Sequence, residues 1–209
     1  MGGVCCNPRA CRKIDSTKII RVKLLIIKTK DGKTNNNNLT TIDSPYFGQK
    51  PPGLIPEIFA PGIISISGRS EYGVSFTPNL DEMYFTVQKK FGVPADIYFS
   101  KLEDKKWTNP KKANFTKGKK VGEMHPFVNL NGDKIYFTAH DEFTLPHHKE
   151  SIKTWYVNRL DNSWSKAIQL DSPVNDDFVF YANQAKNGDL FYTNVSKFKM
   201  YYAPNRNGK

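Results

Sequence analysis

Cysteine is confined to the first eleven residues of this 209-residue chain, at Cys5, Cys6 and Cys11. The rest can therefore hold neither a disulfide framework nor a cysteine-based zinc site. No His or second Cys pair lies near the three to complete four ligands, so no metal and no cofactor is expected. A long apolar run is also missing. The stretch Val22 to Ile27 is broken by Lys23, too short to span a bilayer, and not followed by a small-residue cleavage site. Met1-Gly2 resembles a myristoylation start, but Cys6 stands where Ser or Thr is required. No G-x-S-x-G elbow and no nucleophile-base spacing are present.

The formal net charge is +11. Residues 1–43 carry nine Lys or Arg against three Asp, and the remainder 22 basic against 17 acidic residues. Beyond the leader the lysines cluster in turn-like stretches, Lys105-Lys106, Lys111-Lys112 and Lys117 to Lys120. They form no single stripe, which argues against a nucleic-acid partner. The leader, with its Asn35 to Asn38 tract, reads as a disordered basic segment.

What is abundant is aromatic and turn chemistry. Aromatics make up 13% of the chain, with 14 Gly and 13 Pro, a composition suited to short strands and tight turns. A chain of this length can bury a real core. Prolines at 45, 51, 52, 56 and 61 exclude a long helix from residues 44–70. That segment is expected to be an irregular lead-in ending in a short strand at Ile63 to Ser67.

Beyond it the sequence repeats. EYGVSFTPNLDEMYFT (71–86) aligns without a gap to EMHPFVNLNGDKIYFT (123–138) at an offset of 52, and YANQAKNGDLFYT (181–193) is a looser third copy. Each copy sets a polar turn before an aromatic strand ending in Thr. Asn131-Gly132 and Asn187-Gly188 supply residues that tolerate positive φ, as hairpins demand. Second strands follow at Asp96 to Phe99, Thr154 to Val157 and Met200 to Ala203, and the turns LEDKKW and LDNSW then close on Trp107 and Trp164. Four short strands in 50 to 57 residues is the period of a propeller blade. The fold class is all-β, with four-stranded antiparallel units at 71–122, 123–177 and 178–209, the last incomplete.

Over residues 44–209 the chain resembles the WD-like, TolB-type β-propeller repeat family of bacteria. The resemblance implies about three blades of the usual six, and hence a truncated member whose open ends invite self-association. It implies a periplasmic or extracellular setting, although no signal peptide is visible. It also implies a non-catalytic binding or scaffold module that recognises a protein or glycan through blade-end loops. The alternative is a propeller-type polysaccharide lyase or glycoside hydrolase acting through channel histidines and acids.

Five residues are the candidate ligand-binding set. Glu71 and Glu123 recur at one place in the repeat; paired carboxylates perform acid-base work in glycosidases, whereas recurrence itself points to structure. His125 opens the second unit. His140 and Asp141 follow its IYFT strand, and with His147-His148 they could form a metal cluster, but adjacent histidines rarely share one ion, and a solvated loop is the simpler reading. The Trp turns resemble the Asp-boxes of sialidases without the full pattern. Only Arg69, Arg159 and Arg206 lie beyond the leader, and no arginine triad to hold a carboxylate substrate is evident.

Overall fold

The computed structural model describes residues 46–51, 53–141 and 151–206. The basic leader with its cysteines, the His147-His148 loop and the last three residues lie outside it.

The described residues form three successive antiparallel sheets. The first contains β1 (Ser70–Phe76), β2 (Glu82–Gln88), β3 (Asp96–Glu103), β4 (Lys106–Trp107) and β5 (Lys111–Lys112); the second contains β6 (Gly122–Val128), β7 (Lys134–His140), β8 (Lys153–Leu160), β9 (Ser163–Trp164) and β10 (Ile168–Gln169). The third contains β11 (Val179–Gln184), β12 (Leu190–Asn194) and β13 (Lys199–Ala203). The three long strands of each sheet pair consecutively, and the sheets stack face to face. This is the arrangement of a partial β-propeller, as the sequence period predicts. No helix among the described residues is long and apolar enough to cross a membrane.

One difference from the expected four-stranded unit lies at the rim. The fourth strand is present as two dipeptides, β4 and β5 on β3, and β9 and β10 on β8. In the first sheet, Asp104 and Lys105 adopt positive φ in a tight turn, and Pro110 cannot donate to a ladder. Pairing resumes only at Lys111.

All seven residues of β2 are buried, and all but the first of β7. Both faces of these strands are covered, which is why MYFTV and IYFTA show no polar alternation. One face of each looks back along the chain and the other looks forward. Met83, Phe85 and Val87 pack backward on the lead-in, whereas Tyr84 packs forward on Ile135, Phe137, Ala139 and Val157 of the second sheet. Tyr136 then packs forward on Val179, Ala182 and Tyr192 of the third.

The hairpin turns use equivalent geometry with different residues. Gly132 and Gly188 adopt φ of 74° and 90°, while Leu80 adopts 60° in the corresponding turn of the first sheet. Asn129 holds its turn by accepting the Asp133 and Lys134 N–H groups, and Thr77 does the same for Asp81 and Glu82.

The expected strand at Ile63 to Ser67 is a turn instead. Gly62 has φ of 81°, and the Ala60 carbonyl accepts the N–H groups of Ile63, Ile64 and Ser65, so the chain coils rather than extends. The lead-in thereby becomes a cap. Phe47 stacks on Trp107 at 4.7 Å and 16°, Phe59 meets Phe47 edge-on, and Ala60 and Ile64 are buried beneath them.

Candidate functional site

The innermost strands are β1, which carries Glu71, β6, which carries Glu123 and His125, and β11; each is interrupted by a bulge at the same place, while His140 ends β7 and Asp141 follows it. Register shifts fall between Tyr72 and Ser75, Met124 and Phe127, and Phe180 and Asn183. The bulged residues are Gly73, His125 and Tyr181, with φ of 63°, 56° and 57°. Glycine adopts this conformation freely, but a bulky side chain is strained there, and such strain recurs at ligand clamps and switches. The three bulges meet side by side. A Cβ on Gly73 would lie 3.5 Å from the His125 Cα, and the His125 ring centroid is 4.1 Å from that of Tyr181. Tyr72 and Phe180 complete the surround at 5.5 and 5.0 Å.

His125 is buried in this aromatic nest. Its N–H donates to Thr86 Oγ1 at 2.9 Å, but its ring Nδ1 has no hydrogen-bond partner among the described residues. Burial pushes the imidazole down to about 4, so it is neutral at physiological pH. Burial and the adjacent Tyr181 push the Tyr72 phenol up to about 12.

The four other candidates are placed apart in role. Glu123 is buried, and its carboxylate accepts the Phe115 N–H (3.0 Å), the Thr116 N–H (2.7 Å) and the Thr116 hydroxyl (2.6 Å). It fastens the incoming linker to the second sheet. Glu71, its repeat equivalent, instead pairs with Arg69 at 2.5 Å and accepts the Ile66 N–H, holding the cap's exit. His140 is fully buried beside Gly122, where an added Cβ would fall 2.2 Å from its Nε2. Asp141 is exposed and pairs with Lys120 at 2.6 Å. His140 and Asp141, neighbours in sequence, thus face core and solvent respectively. Among the described residues no group of three His, Cys, Asp or Glu could hold a metal ion; His147 and His148 lie outside them.

A polar network that the sequence reading did not anticipate joins the first two sheets. Arg159 donates to both oxygens of Glu82, at 3.1 and 2.7 Å, and Lys101 pairs with the same carboxylate at 2.9 Å. The Tyr84 hydroxyl donates to Glu82 at 2.8 Å and accepts the Trp164 indole N–H at 3.0 Å. Burial raises the Glu82 carboxyl, but the hydrogen bonds from Arg159, Lys101 and Tyr84 outweigh it and hold the group down at about 2. The available signal was scarcity: Arg159 is one of three arginines beyond the leader.

No protein-family model and no curated protein matches this chain. Among solved structures, TolB from Acinetobacter baumannii is similar over 67% of this chain and 33% of that one, at 14% identity and a TM-score of 0.42. The polysaccharide lyase Uly1 is similar over 62% of this chain and 36% of that one, at 17% identity and a TM-score of 0.33. The chain therefore spans about a third of the length of either structure.

Proposed function

We propose that this protein is a non-catalytic binding module that recognises a protein or glycan partner through the loops at its sheet ends. The observation that carries the reading is the Glu123 carboxylate, which accepts three hydrogen bonds from the linker between sheets. A carboxylate so engaged, with its repeat equivalent tied to Arg69, is a strut rather than a general acid or base. The remaining described arginine with a buried carboxylate partner, Arg159, is likewise engaged by Glu82.

A second reading, a polysaccharide lyase or glycoside hydrolase, draws on His125. A neutral imidazole between two tyrosines, its Nδ1 without a hydrogen-bond partner among the described residues, has the chemistry of a general base. One experiment separates the two. The purified chain is incubated with a panel of neutral and acidic polysaccharides, and binding and product formation are measured in parallel. Binding without turnover is the expected outcome; turnover that disappears in His125→Asn would establish the enzyme instead.

A further inference from the structure

A cleft of about 250 Å3 opens at the rim between the first two sheets, outside the innermost strands. Tyr84 and Phe99 of the first sheet form one wall, and Trp164 of the second forms the other. The polar atoms of these walls are already satisfied. The Trp164 N–H donates to the Tyr84 hydroxyl, which donates to Glu82, and the Arg159 guanidinium lies 4.0 Å from the Trp164 ring centroid. The rings are thus fixed in orientation before any ligand arrives, which lowers the ordering penalty on binding.

The rim is basic and polar. Lys101 and Lys117 line it together with Asn114 and Asn162, and among the described residues no carboxylate does. Lys101 is engaged by Glu82, whereas Lys117 is exposed and has no ion-pair partner among the described residues. Its backbone is set by a tight turn, in which the Lys117 N–H donates to the Asn114 carbonyl and the Gly118 N–H to the Asn114 side chain. The cation therefore has a defined anchor.

The cleft is not a general by-product of stacking. The aromatic pair Tyr84 and Phe99 corresponds by register to Tyr136 and Tyr156 in the second sheet. There, Lys134 occupies the position of Glu82 and lies 5.8 and 4.6 Å from the two ring centroids. The equivalent rings are covered by their own sheet. Where Glu82 replaces that lysine, no cation among the described residues lies over the pair: Tyr84 is buried, and the half-buried Phe99 and Trp164 supply the aromatic surface of the cleft.

We infer that this cleft is a subsite for one residue of an acidic glycan, with the apolar C–H face of a uronate ring against the aromatic wall and its carboxylate on Lys117. Aromatic faces carry a negative quadrupole that attracts polarised C–H groups. The amides of Asn114 and Asn162 suit ring hydroxyls. The volume lies just below the usual range for drug-sized ligands, as one sugar ring requires. The inference rests on the binding-module reading and supplies its ligand class.

The test is a titration of the whole chain with oligogalacturonate, and with a neutral oligosaccharide of equal length, followed by backbone-amide NMR. Shifts are expected at Asn114, Lys117, Asn162 and Ser163 with the acidic oligomer. Lys117→Gln should weaken binding about tenfold, while Lys89→Gln, an equal charge change on a remote turn, should leave it nearly unchanged. Equal weakening by both variants, shifts confined to other regions, or no shifts with either oligomer would overturn the subsite. Binding that maps elsewhere would leave the module reading standing, and turnover of the oligomer would overturn that reading alone.

Discussion

Glu82 and His125 both tie the stability of this protein to neutral pH, through opposite chemistry. The Glu82 carboxyl is held at about 2 against an ordinary 4.5, so its contribution is complete above 4.5 and is lost as pH falls toward 2. The His125 imidazole is held at about 4 against 6.5. The unfolded chain takes up the proton first, and stability declines as pH falls from 6.5 toward 4. Urea midpoints measured from pH 7 to pH 3 should therefore fall in two limbs. His125→Asn, which tolerates the positive φ, should flatten the upper limb, and Glu82→Gln the lower; midpoints independent of pH in the native protein would refute both assignments. The bulge was half legible in the sequence. Gly73 in EYGVS marks a position of positive φ, but the gapless alignment sets His125 there, and a histidine carries no such mark.

At the level of elements, the hairpins could be read from Asn-Gly turns and aromatic strands because both signals are local. The cap could not. Residues 46–66 carry no periodicity, and their role depends on Phe47 reaching Trp107 some sixty positions away. The expectation of a strand at Ile63 to Ser67 failed because Pro61-Gly62 begins a turn that aliphatic content alone does not reveal. Phe47→Ala should remove the stack on Trp107 and lower stability by ~3 kcal/mol in urea unfolding, as large-to-small core substitutions do. Leu54→Ala, on a fully exposed side chain of the same segment, should change it by less than ~0.5 kcal/mol. Equal effects would show that the lead-in rests on the sheet without supporting it.

In the molecule as a whole, three cross-strand aromatic pairs mark the forward faces: Tyr84 with Phe99, stacked, Tyr136 with Tyr156, tilted at 45°, and Phe191 with Tyr202, stacked. The first two are covered by the following sheet. The third is open, with Met200 beside it 78% exposed and Tyr202 56% exposed. The protein should accordingly bind a hydrophobic dye and associate weakly as concentration rises. The double substitution Phe191→Ser and Tyr202→Ser should reduce both without lowering the unfolding free energy by more than ~1 kcal/mol, because among the described residues neither ring supports a neighbouring sheet; undiminished dye binding would place the apolar surface elsewhere. The cap at the opposite end gives this association a direction. A stack with two bare ends could add copies head to tail without limit, as heterologous contacts do when their rotation does not close. With Phe47, Phe59 and Ile64 seated on it, the backward face of the described residues is closed to such contact. Two copies joined through their forward faces would satisfy each other about a twofold axis and stop, so the proline-rich lead-in would act as a chain terminator against fibre growth.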